Sequence, residues 1–164
     1  MDTHGFADRA GTRALISLLV GHDADVAHWV GRRLGIDDFG PCTAIGILCG
    51  DINTIKLRHE LIAGVVYNWY RQANIEITCA AVSPRWCTSR ILRGLFSYPF
   101  EQLGCHRVTC VTEHTNESVR AFLARLGFRE EGVMRRSYLN GNDAVIYGML
   151  REECRWIGDR GKRV

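Results

Sequence analysis

A glutamate set between two isoleucines is the first place in this chain where chemistry is legible. Ile75-Glu76-Ile77-Thr78-Cys79-Ala80-Ala81-Val82 reads as a strand, so Glu76 faces the side opposite Ile75 and Ile77. A carboxylate half-buried in that way is pushed up in pKa, the useful direction for a general base near neutral pH. A plain solvent-facing glutamate fits the same pattern. His59, Glu60 and Glu113 are weaker candidates for a base.

The strand leads into Val82-Ser83-Pro84-Arg85-Trp86-Cys87-Thr88-Ser89-Arg90-Ile91, a turn followed by a helix expected over 86–103. The free N–H groups of a helix start favour an anion, and Arg85 and Arg90 would add charge-assisted contacts to a pyrophosphate. The residues fit an ordinary turn with exposed arginines equally well. A second apolar run over 108–112 precedes Asn116, a strong N-cap candidate, and Ser118 in the first turn. Val119, Phe122, Leu123 and Leu126 make a helical stripe that Gly127 should close.

Other elements have to hold these joints in place. A helix is expected from Asp23, as N-cap, to Leu34, on the spacing of Val26, Trp29 and Val30, with Gly35 ending it. Strands are expected over 43–49 and 61–69, antiparallel, with a turn at 50–53 and a longer connection over 54–60. Residues 1–22 read as irregular, with 14–20 either a strand or a buried helical turn. The last third reads as two strands around Asn140-Gly141-Asn142-Asp143, a hairpin signal, then a short terminal helix in a basic tail over 152–164. Antiparallel strands first and a strand–helix–strand unit after give an α/β class and one domain over 1–164.

Composition narrows the setting. The net charge of +3 suits a phosphorylated cofactor or nucleic acid, and the basic residues also fit a solvated surface with a basic tail. Seven irregularly spaced cysteines fit a reducing, cytoplasmic compartment rather than a disulfide framework. Histidine spacing suggests no structural metal. Apolar runs are too short for a membrane span, and the start lacks the pattern of a signal peptide. Tyr67, Trp69, Tyr70 and Trp86 form an aromatic group that fits either an acceptor pocket or core.

The order of elements, Asn116-x-x-Val119, Leu126-Gly127-Phe128-Arg129-Glu130-Glu131-Gly132-Val133-Met134-Arg135 and Asp143-Ala144-Val145-Ile146-Tyr147-Gly148-Met149-Leu150 together resemble the GNAT superfamily of N-acetyltransferases. The resemblance covers roughly residues 23–152 and is strongest to the branch that acetylates ribosomal-protein N-termini. It implies a mixed, mostly antiparallel sheet, flanked by helices, with a central parallel splay between 75–82 and 107–112. It also implies acetyl-CoA as co-substrate and direct acyl transfer to an amine of a small molecule, peptide or protein. Glu76 would then take the amine proton, and Val82, Arg85, Thr88, Ser89, Arg90, Ile91 and Asn116 would hold acetyl-CoA. Ser118, Tyr138 or water would protonate the thiolate. Two departures stand out: Thr88 and Arg90 occupy positions where the family's pyrophosphate loop has glycine, and Leu123 stands where many members have a tyrosine acid.

Two other readings accompany this one. His28-Trp29-Val30-Gly31-Arg32 and Trp86-x-x-Ser89-Arg90 are similar to stretches of the phage Mom proteins, GNAT-like enzymes that modify adenine in DNA. That resemblance would make His28 and Ser89 site residues and DNA the partner, although His28 beside Trp29 also fits a packing histidine. The departures also fit a GNAT-shaped binding module without catalysis. Assembly as a homodimer stays open.

Overall fold

The computed structural model describes residues 15–50 and 61–158. The expected connection over 54–60, most of the turn at 50–53, His59, Glu60 and the basic residues from Arg160 onward lie outside them.

Among the described residues, seven strands form one sheet in the order β1-β2-β3-β4-β5-β7-β6: β1 (Ile16–Leu19), β2 (Thr43–Cys49), β3 (Leu61–Asn68), β4 (Asn74–Ala81), β5 (Arg107–Glu113), β6 (Arg129–Met134) and β7 (Ala144–Leu150). Of these strands, only β4 and β5 pair in parallel. Their register holds for three pairs, Asn74–Arg107, Ile75–Val108 and Glu76–Thr109, beyond which the strands diverge. The expected central splay is therefore present, and Glu76 stands at its apex.

Helices cover both faces. α1 (Asp23–Leu34) buries Val26, Trp29 and Val30 against Ala44, Leu48, Val66 and Ala80. It lies close because Gly46 and Gly64, paired across β2 and β3, face it. A Cβ on Gly64 would sit 2.7 Å from Val30 Cγ2. α2 (Ser89–Ser97) and α3 (Glu117–Leu126) cover the other face with Ile91, Leu92, Leu95, Phe96, Leu123 and Leu126. No helix among the described residues is long and apolar enough to cross a membrane.

Several boundaries depart from the sequence reading. Residues 16–19 form an edge strand, so the first 22 residues are not irregular throughout. Asp23 opens α1 rather than capping it, and its carboxylate accepts the Ala44 N–H at 2.6 Å, tying the helix start to β2. The expected helix over 86–103 is three pieces. Pro84–Trp86 is a 3-10 turn, α2 follows, and Tyr98–Gln102 is a π turn that absorbs Pro99. Ser83 and Thr88 divide the first two, because each side chain accepts a backbone N–H that would otherwise have no partner, those of Arg85 and Ile91. The segment around Asn140-Gly141 is a nine-residue loop over 135–143, not a tight hairpin. Its Asn140 and Asn142 amides donate to Glu113 instead. Arg151–Glu153 is a single 3-10 turn in place of the expected terminal helix.

Candidate active site

Alternation along the strands decides what faces the splay. Ile75 and Ile77 pack with the α2 and α3 core, whereas Ala80 packs with α1, so Glu76 and Thr78 lie on the α1 face. Register places Asn68 of β3 and Thr109 of β5 on either side of Glu76. Glu76 is half-buried, and burial raises its carboxyl above the usual carboxylate range. Tyr138, in the 135–143 loop, comes over the same region. Burial raises its phenol, and the nearby carboxylates of Glu113 and Glu76 add to the shift. It therefore holds its proton firmly at neutral pH.

Glu113 is held the other way. The Asn142 and Asn140 amides donate to it and keep its carboxyl below the usual range, so it is a poor base at neutral pH. Of the carboxylates proposed as a base within the described residues, Glu76 alone is shifted in the useful direction.

A polar network fixes the apex. Thr109 Oγ1 donates to Asn74 Oδ1 at 2.7 Å, and Arg107 donates to the same oxygen at 3.3 Å. The Arg107 guanidinium also pairs with Glu131 at 2.6 Å. Glu131 falls where the β6–β7 register shifts, and it lies over Gly148, where a Cβ would collide with both partners. This bridge ties β5 to β6 beside the point where β4 leaves. It is absent from the sequence reading. Asn74, Thr109 and Asn68 carried a signal, as polar residues in apolar runs; the Arg107–Glu131 pairing, 24 residues apart, carried none.

At the wide end of the splay, α2 begins with Thr88 as cap, in an extended conformation at φ −106°. Ile91 N–H is satisfied by Thr88 Oγ1 at 3.3 Å. The N–H groups of Ser89 and Arg90, in the first turn, have no carbonyl one turn back to bond. Thr88, Ser89, Arg90, Arg85 and Val82 are exposed here, while Ile91 is buried and serves the core. A cavity of about 310 Å³ opens beside this terminus, lined by Cys87, Ser89, Leu92, Phe122, Arg125 and Trp156, among others. Arg125 and Trp156 join the site through tertiary contact: the Trp156 indole N–H donates to the Leu126 carbonyl at 2.9 Å. Sequence reasoning missed both.

Asn116 spends its side-chain oxygen on its own helix, accepting from Val119 N–H at 3.2 Å and the Ser118 hydroxyl at 3.1 Å. Both residues are exposed. His28 is exposed on α1, and its imidazole forms no hydrogen bond or ion pair among the described residues. The aromatic group divides: Tyr67 and Trp86 are buried, Trp69 and Tyr70 exposed. Tyr67 packs edge-on against Tyr98, and Trp86 against Phe122.

On the α2 and α3 face, the thiols of Cys110 and Cys87 are raised by burial, with Arg125 partly opposing the shift at Cys87. A thiol held protonated is a poor nucleophile, so these cysteines do not favour a covalent enzyme intermediate. Among the described residues no group of three or more His, Cys, Asp or Glu could hold a metal ion.

Comparison with known proteins agrees with this geometry. No protein-family model matches the chain. It is 41% identical over 71 residues to the protein named "Putative ribosomal N-acetyltransferase YdaF" of Bacillus subtilis, covering 42% of this chain and 38% of that protein. It is 29% identical over 100 residues to the uncharacterized N-acetyltransferase YoaA of the same organism, 56% of each. The chain thus matches well under two thirds of the length of either relative. Among solved structures, the spermidine N-acetyltransferase SpeG of Vibrio cholerae superposes with a TM-score of 0.61 at 13% identity, covering 82% of this chain and 94% of that one. The ribosomal-protein-S5-alanine acetyltransferase of Vibrio fischeri gives 0.59 at 14%, covering 90% and 100%. A GNAT-family acetyltransferase of Bacillus anthracis gives 0.53 at 18%, covering 67% of each. These identities speak for the fold. With its splayed parallel pair inside an otherwise antiparallel seven-stranded sheet, the chain has the fold of the GNAT acetyltransferases.

Proposed function

We propose that the protein transfers an acetyl group from acetyl-CoA to an amine. The observation that carries this is Glu76, a half-buried carboxylate with a raised pKa at the apex of the splay. Acetyl-CoA, when bound, supplies the acyl group as an activated thioester. The gap between β4 and β5 and the cavity beside α2 offer it room, and the Ser89 and Arg90 N–H groups with Arg85 and Arg90 suit its phosphates. Thr88 and Arg90 in place of glycine are compatible with this, because the loop needs no positive φ here and the arginine adds charge.

Glu76 takes one proton from the incoming ammonium, directly or through water, which frees the nitrogen lone pair. A proton must also reach the departing thiolate. Ser118 and Tyr138 are the candidate donors, and Tyr138 is the one whose phenol feels the Glu76 carboxylate. The acceptor belongs to the amine class. A polyamine and a protein N-terminus are the first to test, given what the names of SpeG and of the ribosomal acetyltransferases state for those proteins.

The test is a thermal shift with acetyl-CoA, followed by thiol release with spermidine and with short peptides bearing free N-termini. Stabilisation by acetyl-CoA and thiol release that requires the amine are expected. No shift at saturating acetyl-CoA would overturn the reading.

A further inference from the structure

Two buried side-chain oxygens among the described residues have no hydrogen-bond partner, Ser17 Oγ and Asn68 Oδ1. Ser17 lies on edge strand β1, far along the sheet from the splay. Asn68 is the last residue of β3, only 6% exposed, and its register partner is Glu76. Cross-strand partners of an antiparallel pair carry their Cβ atoms roughly 5 Å apart on one face. The Asn68 amide nitrogen donates to the Phe39 carbonyl at 3.1 Å. That bond fixes the amide plane and turns the oxygen away from Phe39. Buried polar groups in folded proteins are almost always satisfied, and one that is not, beside a catalytic base, points to a ligand donor.

Counting protons says which donor. A primary ammonium carries three N–H bonds. Glu76 takes one proton before attack. A second leaves as the C–N bond forms and the C–S bond breaks, and it ends on the thiolate as thiol. The third stays on the product amide. That third N–H is available throughout the reaction, and it needs an acceptor that is never itself protonated. An amide oxygen is such an acceptor. A secondary ammonium has only two N–H bonds, both lost in the reaction, and leaves the acceptor unmatched.

We infer that Asn68 is the specificity-determining residue for the acceptor, its Oδ1 holding the retained N–H of a primary amine beside Glu76 and thereby selecting primary over secondary amines. This rests on the acyl-transfer reading above. A site built to receive an N–H discriminates against a ligand lacking it, because its own buried group is then left unpaired.

The test uses the full chain with acetyl-CoA and two amine pairs: butylamine and a short alanyl peptide, each beside its N-methyl counterpart. Wild-type protein should prefer the primary amine by roughly 10- to 100-fold in kcat/KM, the ratio expected for one well-placed hydrogen bond to a polar site. Asn68→Ala should lose most of that preference through a higher KM for the primary amine, with the N-methyl substrate unchanged. Asn68→Asp keeps the side-chain shape, guards against a misfolded alanine variant, and sets a second carboxylate beside Glu76. It should keep the primary-amine preference that the alanine variant loses, because a carboxylate also accepts the N–H, and a packing role for Asn68 does not sort variants by acceptor. The thermal shift with acetyl-CoA should persist in both variants. If wild type transfers to primary amines and the alanine variant keeps its preference, or the aspartate variant loses it, the role of Asn68 is wrong and acyl transfer stands. Acetyl-CoA binding without transfer to any of the four amines would overturn both.

Discussion

The two faces of the β4–β5 gap are made of different chemistry, though they belong to the same two strands. Toward α1 the side chains are Asn68, Glu76, Thr78 and Thr109, with Tyr138 arriving from the 135–143 loop. Toward α2 and α3 they are Tyr67, Ile77 and Cys110, with Tyr67 spending its hydroxyl on the Leu95 carbonyl at 2.8 Å. Strand alternation separates them with no extra machinery. One face carries groups that can move protons, and the other is packed core and chemically quiet. The comparison teaches that the same two strands supply core on one side and polar chemistry on the other.

Breaking the proton-moving face should have the largest effect. Glu76→Gln is expected to lower turnover by roughly 100- to 10,000-fold, the range of general acid–base catalysis, and to leave the acetyl-CoA thermal shift intact. Unchanged turnover would remove Glu76 from the mechanism. Next comes the wide end of the gap. Replacing Arg85 and Arg90 together by alanine should weaken acetyl-CoA binding about 10- to 100-fold by calorimetry, with kcat preserved at saturation. Among candidate acids, Tyr138→Phe should reduce kcat by up to about tenfold and Ser118→Ala by less; the reverse order in steady-state assays would give Ser118 the role. His28→Ala should change neither rate nor binding, and a measurable loss would draw α1 into the site.

A stability measurement sharpens the same comparison. The folded-state pKa of Glu76 is raised, so the native state binds its proton more tightly than the unfolded chain does. Its contribution is least unfavourable below the ordinary carboxylate pKa, and stability falls as pH rises through the window up to the folded value. Glu76→Gln should therefore melt higher than wild type at neutral pH. The difference should shrink as pH drops below the ordinary carboxylate range, when the glutamate is neutral in both states. Melting curves across that range check it. The kinetic counterpart is an acidic limb in kcat/KM above the usual glutamate range, missing from the variant.

Much of this was legible from local patterns. The α3 cap at Asn116 and its stop at Gly127, with φ 111°, follow from residue types at fixed spacing. The side of the strand on which Glu76 lies follows from alternation alone. What was not legible came from two sources. Some elements were divided by side chains competing for backbone groups, as Ser83 and Thr88 divide the expected helix over 86–103. Other features join residues far apart in sequence, such as Arg107 with Glu131 or Trp156 with Leu126, and no local pattern encodes those pairings. Asn68 falls between the two cases. A polar residue ending an apolar strand is visible, but its unmatched oxygen is a property of the packed fold.

The three-pair register between β4 and β5 also has a mechanical meaning. It leaves β1 to β4 and β5 to β6 as two half-sheets, held by three residue pairs and by the helices that bridge them. Backbone groups on both strands past Glu76 and Thr109 face each other without a ladder. Hydrogen exchange should find these amides opening at lower cost than those of the β2–β3 ladder, and the half-sheets loosening as separate units. A molecule lying along the gap would act as a rivet, slowing exchange on two strands that are 33 residues apart in register. Substrate binding and the cooperativity of the fold are then one physical event.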